Sequence, residues 1–189
     1  MPYDTGYPWL VKDSVVFLDE YLEKNKNSTV LEFGAGGSTL WFAPRVKKIY
    51  SIEGSLNWST KLRPQLPDNV ELIHKKVPYY DLCKDFESES FDVILIDGRD
   101  RIKCFERCLR LVKPGGVLML DNSERARYWL PITKMDQLRG SRILRRGGWP
   151  YDKNGGMEGW TTTTARGPDY TGTFDYDGWT TTWWIKDKA

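Results

Sequence analysis

The chain has one histidine and three cysteines in 189 residues, too few and too poorly spaced for a histidine or cysteine metal site. His74, alone near the end of an apolar run, reads as a hydrogen-bonded structural imidazole. Cys83, Cys104 and Cys108 are odd in number, and the last two fall one helical turn apart beside Ile102, Phe105, Leu109 and Val112. That is the pattern of core thiols in a reducing compartment, not of a disulfide framework. No apolar stretch is long enough to span a bilayer, and no N-terminal apolar run leads to a cleavage-like site. The expectation is a soluble, cytoplasmic protein with no membrane partner. Large charge of either sign is also missing: a net +2 creates no broad field for nucleic acid. Arg125, Arg127, Arg139 and the run Arg142 to Arg146 are interspersed with acids and read as an ordinary charged face.

What is present is an alternation of strand and helix signals in a chain of one-domain size. A first helix is expected from Asp13 to Lys24 on the spacing of Val15, Val16, Leu18 and Leu22. Strands follow at Val30 to Phe33, Lys48 to Ile52, Val70 to His74, Phe91 to Ile96 and Gly116 to Leu120. Helices are expected between them at Thr39 to Ala43, Leu56 to Leu66, Tyr79 to Phe86 and Arg101 to Val112. Near-continuous apolar runs such as Val93-Ile94-Leu95-Ile96 suit strands covered on both faces, so the class is α/β with a mostly parallel, doubly wound sheet. Ligands of such sheets sit beyond the carboxyl ends of the strands, where Gly34, Glu53, Asp97 and Asp121 would gather.

The first of these ends carries the most chemistry. Val30-Leu31-Glu32-Phe33 runs straight into Gly34-Ala35-Gly36-Gly37-Ser38-Thr39, and the next strand ends in an acid, Glu53. Glycines let backbone approach a ligand closely, and an acid at the neighbouring strand tip can accept both hydroxyls of a ribose. A dinucleotide fold reads GxGxxG; here the spacing is acid-x-Gly-x-Gly-Gly-Ser. This spacing resembles motif I of the class I S-adenosylmethionine-dependent methyltransferases, and the likeness extends over roughly residues 28 to 125. The Lys113-Pro114-Gly115-Gly116 turn before the fifth strand is shared with that family too.

The resemblance implies a Rossmann-like methyltransferase domain over residues 1–189, with a seven-stranded sheet ending in an antiparallel strand. It implies S-adenosylmethionine as cofactor, held by Glu32, Gly34, Ala35, Gly36, Gly37, Ser38, Thr39, Glu53, Gly54, Ser55, Asp97 and Gly98. Asp97, closing the fourth strand, and Asp121-Asn122, closing the fifth, resemble the catechol and caffeoyl-CoA O-methyltransferase branch, where these positions hold a divalent cation. Carried over, Asp97, Asp121 and Asn122 would bind Mg²⁺ or Ca²⁺, which prefer oxygen ligands. The branch's lysine base is replaced here by Asp100, between Arg99 and Arg101. Without a metal, Asp97 or Asp100 is the candidate base, and Asp121 and Asn122 would bond neighbouring backbone at the strand end. Arg99 and Arg101 could clamp an anionic group of a small-molecule acceptor, or be solvated or paired with acids.

Past Gly147 the composition turns to Gly, Trp, Thr, Tyr and Asp. Gly159-Trp160-Thr161-Thr162-Thr163 recurs as Gly178-Trp179-Thr180-Thr181-Thr182, two β-prone copies that an antiparallel ribbon would accommodate. Ser141 to Arg145 with Thr180 to Ile185 is a second pairing open to the chain. Residues 147–179 form an insertion or lid, whose Trp149, Tyr151, Trp160, Tyr170, Phe174, Tyr176 and Trp179 either stack on a ligand ring or meet the sheet edge or a second subunit of a homodimer. Tyr3, Tyr7, Pro8 and Trp9 form a like cluster ahead of the first helix, within an N-terminal cap of residues 1–27. Two other functions share such a sheet: a cofactor-binding regulatory protein without turnover, and an NAD-linked oxidoreductase.

Overall fold

The computed structural model describes residues 6–125, 157–167 and 179–188. Helix α1 (Lys12–Lys24) precedes β1 (Thr29–Phe33), α2 (Gly37–Phe42), β2 (Lys48–Glu53), α3 (Leu56–Leu62) and β3 (Val70–His74). Then come β4 (Phe91–Ile96), α4 (Arg101–Cys108), β5 (Val112–Asp121), β6 (Trp160–Arg166) and β7 (Thr180–Lys186). Sheet order is β3-β2-β1-β4-β5-β7-β6, with β3 to β5 parallel and β7 antiparallel to both of its neighbours. Growth of the sheet reverses between β1 and β4, which opens a crevice at their carboxyl ends.

Prolines trim the helices. Pro44 and Pro64 cannot donate a backbone hydrogen bond, so α2 and α3 stop at Phe42 and Leu62 and pass into short 3₁₀ turns. The expected helix ending near Leu66 is therefore shorter. Tyr79–Asp85, expected as α-helix, winds as 3₁₀. The Pro-Gly-Gly segment belongs to β5 but bulges from it: β4 advances from Phe91 to Val93 while β5 runs from Val112 to Val117.

Alternate strand residues feed two cores. Leu31, Phe33, Ile94, Ile96, Leu118 and Leu120 pack under α4 and the 3₁₀ segment. Val30, Ile49, Val93, Leu95, Val117 and Met119 pack under α1 and α2. Period-two alternation puts Glu32 and Ser51 on this second face, so a carboxylate enters an apolar layer. The three thiols are free and buried on the first face; burial pushes Cys83 up to about 11, the range of an unreactive thiol.

Both copies of the Trp-Thr repeat become strands and pair with each other, Trp160 to Arg166 against Lys186 to Thr180. β7 slots between β5 and β6, its Trp184 stacked edge-on to Phe105 and its Trp183 face-on to Phe17, each with centroids 4.8 Å apart. The pairing that used Ser141 to Arg145, and the aromatics at 149, 151, 170, 174 and 176, lie outside the described residues. No described helix is long and apolar enough to cross a membrane.

Candidate active site

The turn after β1 is shaped by main chain. Gly34 has φ +101°, and a Cβ there would come within 2.8 Å of the Gly98 nitrogen, because the segments leaving β1 and β4 touch. Gly37 lies against the Tyr7 carbonyl, with which any side-chain carbon would overlap. Behind the turn, Glu32 accepts hydrogen bonds from the hydroxyls of Ser38, Thr39 at 2.5 Å and Ser51 at 2.7 Å. The Thr39 hydroxyl also accepts from the Gly36 N–H at 2.9 Å. Glu32 and Thr39 are wholly buried and face no cavity, so they brace the turn and do not line a ligand site. Burial raises Glu32 to about 7, against the lowering effect of the three hydroxyls and with a further rise from the charge of Asp97.

A cavity of about 720 Å³ opens in front of the turn. Gly34, Ala35, Gly36, Gly37 and Ser38 line it, facing Glu53, Gly54, Ser55, Asp97 and Gly98. Ten of the twelve residues expected around the cofactor therefore meet at one void of ligand size. One Glu53 oxygen accepts from the Ser55 N–H at 2.6 Å, and the Ser55 hydroxyl caps α3. Tyr7 and Trp9, from the segment ahead of α1, also line it. Trp58, Val77 and Tyr79 also line it and went unread in the sequence. Trp58 is fixed by its indole N–H donating to the Ala35 carbonyl at 2.6 Å; Tyr79 is fixed by its hydroxyl donating to the Arg99 carbonyl at 2.8 Å. An aromatic three positions after the cap Ser55 was a usable signal for Trp58; the segment after β3 offers no periodic one.

A second cavity, about 320 Å³, shares Trp9 and Asp97 with the first. Asp121, Asn122, Arg101, Arg125 and Trp179 complete most of its wall. The structure thus brings Asp97, Asp121 and Asn122 to one cavity wall, but the two aspartates face a guanidinium. Arg101 Nη2 donates to Asp97 Oδ1 at 2.7 Å and to the Asp97 carbonyl at 2.6 Å, and Nε donates to the Gly98 carbonyl at 3.0 Å. Nη1 donates to the Asp121 carbonyl and stands 3.6 Å from Asp121 Oδ2. Asp121 Oδ1 also accepts from the Thr181 hydroxyl at 2.9 Å. Asn122 sits in the left-handed region at φ +49°, a conformation its short polar side chain tolerates.

This geometry bears on three expectations. The donor set does not fit Mg²⁺ or Ca²⁺, since the place between the carboxylates is taken by a cationic side chain; among the described residues no acid, histidine and cysteine group suited to a metal is found. Arg101 follows the acid-paired alternative: it is buried and its nitrogens donate to strand-end oxygens. Asp100 is exposed, starts α4 with a left-handed φ of +49°, and lines neither cavity. Arg99 is exposed at the rim of the first cavity. Arg125, read as part of a charged face, instead lines the second.

Asp97 is the hinge of the arrangement. Burial raises its carboxyl, while the Arg101 guanidinium and a hydrogen-bonding Asp121 pull it down. Asp121 is pushed well up by burial and then by the charge of Asp97. Facing acids of this kind favour one shared proton. Asp121 is the deeper, at 4% side-chain exposure, against 29% for Asp97, so Asp97 presents the accessible oxygen.

Comparison with known proteins agrees with the topology. No curated protein matches the chain by sequence. Among solved structures, an rRNA methylase from Streptococcus thermophilus is 13% identical, with 92% of this chain and 96% of that one covered and a TM-score of 0.59. A candidate caffeoyl-CoA O-methyltransferase from Staphylococcus aureus is 16% identical, covering 96% and 87%, with a TM-score of 0.58. A methyltransferase candidate from Streptococcus mutans, solved with S-adenosylhomocysteine, is 13% identical, covering 91% and 97%, also at 0.58. At such identities the likeness is one of fold. A family model described as a methyltransferase domain matches residues 31–123, from within β1 to just past β5. A methyltransferase-domain model thus covers just under half of the chain, and the sheet built around residues 31–123 has the Rossmann-like fold seen in these methyltransferase structures.

Proposed function

We propose that residues 1–189 act as one domain that transfers a methyl group from S-adenosylmethionine to an oxygen of a small molecule. One observation carries the reading: the glycine turn and Glu53 bound a single open cavity, and Asp97 forms the wall it shares with a second, smaller one. In this reading the methionyl end lies along Gly34 to Ser38. The ribose diol donates to the Glu53 oxygen that Ser55 leaves free. The apolar surfaces of Trp58 and Val77 suit a purine. The acceptor occupies the second cavity between Trp9 and Trp179, with its reacting hydroxyl at Asp97.

Transfer is an in-line displacement. The acceptor oxygen forms a bond to the methyl carbon as the carbon–sulfur bond breaks, the sulfonium leaves as a neutral thioether, and the hydroxyl proton passes to Asp97. Most of the acceleration comes from holding oxygen and methyl in contact, and a positioned base adds about 100- to 10,000-fold. A cavity of about 320 Å³ and a net charge of +2 favour a small acceptor over nucleic acid, although structures similar in fold include an rRNA methylase.

Calorimetry with S-adenosylmethionine, S-adenosylhomocysteine and NAD tests the cofactor; tighter binding of NAD would end the proposal in favour of an oxidoreductase. Methyl transfer to a panel of hydroxyl compounds tests turnover. Cofactor binding with no transfer to any of them would leave a binding or regulatory protein.

A further inference from the structure

Arg101 is the one basic residue of α4 that is buried; Lys103 and Arg107 on the same helix are exposed. Withdrawing a guanidinium from water is costly unless its donors are matched, so its position needs a compensating reason. The matching is close to complete. Its three nitrogens reach Asp97, Gly98 and Asp121, joining the carboxyl ends of β4 and β5 at the point where the two cavities meet.

We propose that Arg101 is a built-in substitute for a divalent cation: Asp97 and Asp121, with Asn122 on the same cavity wall, form a cation seat that the chain fills with its own guanidinium. The proposal rests on reading the second cavity as the acceptor site. A bound metal ion with open coordination positions would draw acceptor oxygens to itself and reward an acceptor that offers two adjacent ones. A guanidinium whose nitrogens already donate to strand-end oxygens rewards neither. It also carries half the charge of a divalent ion, which balances one carboxylate and leaves room for the proton that the two facing acids share. The acceptor class named by this exchange is a molecule with a single reacting hydroxyl, held by the indoles of Trp9 and Trp179 and not by chelation.

The test uses Mn²⁺ as a probe, followed by paramagnetic resonance and calorimetry on the full chain, with S-adenosylhomocysteine binding measured on the same samples. Wild type and Arg101→Lys are expected to bind no Mn²⁺ at millimolar concentration. Arg101→Ala, with the seat vacated, should bind one Mn²⁺ at least about tenfold more tightly than wild type, as two newly unpaired carboxylates would allow. Adding Asp121→Asn to Arg101→Ala should abolish that gain. Should Arg101→Ala fail to fold by circular dichroism, Arg101→Gln carries the same comparison. Stoichiometric Mn²⁺ binding by wild type that Asp121→Asn removes would overturn the proposal. So would a folded variant lacking the arginine that gains no Mn²⁺. Loss of S-adenosylhomocysteine binding by wild type would instead undo the cofactor reading, and the Mn²⁺ comparison would still stand.

Discussion

The two cavities that meet at Asp97 are made of different material. The larger is walled mainly by short contiguous stretches, Gly34 to Ser38, Glu53 to Ser55 and Asp97 to Arg99, in which main chain and small residues do the shaping. The smaller is walled by charged groups and indoles that come from residues near 10, 100, 122 and 179. A site made of main chain can keep its form while the rest of a sequence drifts, since what it requires is strand geometry and a few glycines. A site made of side chains from distant segments can change its ligand with a few substitutions. The first therefore depends on the sheet itself, and the second on the particular side chains this chain brings to it.

Substitutions can break that contrast. The largest effect is expected from Asp97→Asn, which keeps the shape of the shared wall and removes its proton acceptor. Transfer should fall about 100- to 10,000-fold in a radiolabelled methyl assay, while cofactor affinity stays within a few-fold of wild type. Transfer unchanged in this variant would move the chemistry elsewhere. Next is Gly34→Ala. A left-handed φ costs about 1–2 kcal/mol, and crowding against Gly98 adds about as much again. Loss of about 3 kcal/mol is expected in denaturant unfolding, together with loss of cofactor binding; a neutral result would show that the turn is not tight.

Glu32 sharpens the comparison through pH. Its carboxyl is raised from 4.5 to about 7 in the folded chain, so the native state holds a proton that the unfolded state has released between those values. Its contribution is therefore full below pH 4.5 and is lost as pH rises through about 7, by up to something on the order of 3 kcal/mol. Denaturant midpoints measured from pH 4 to 8 should slope less in Glu32→Gln than in wild type, with Asp97 and Asp121 present in both. Parallel profiles would mean that Glu32 stays ionised under its three hydroxyls. The smallest effect is expected from Glu53→Ala, a loss of about 1.5–3 kcal/mol in cofactor binding from one charged acceptor. Unchanged affinity by calorimetry would remove Glu53 from the ribose role.

Much of this could be read from the chain. Glu32, Gly34, Glu53 and Asp97 sit at strand ends, and strand ends follow from apolar runs bounded by turn residues. The Trp-Thr repeat told of two paired strands because β-branched and aromatic residues suit a pleated, half-buried surface. What stayed hidden depends on contacts that no local spacing encodes. An arginine opening a helix normally reaches water; that Asp121, twenty positions later, would lie 3.6 Å from Arg101 follows only from β4 and β5 being neighbours. Asp100 is a candidate base in the sequence because it stands where the resembling branch has a lysine; it has a left-handed backbone at the start of α4 and lines neither cavity. Trp58, Val77 and Tyr79 are delivered by α3 and by the segment after β3, where side chains meet the cavity without a repeating pattern.

Thr181 gives the smaller cavity an observer. Its hydroxyl donates to Asp121 Oδ1 at 2.9 Å and accepts from the backbone N–H of Val11 at 3.4 Å, so a change in what the carboxylate holds is passed on to an amide 110 positions upstream. In a ¹⁵N-labelled sample the Val11 resonance would register each addition of acceptor or Mn²⁺ as a shift, and a compound could be found by its spectroscopic trace before any product had been made.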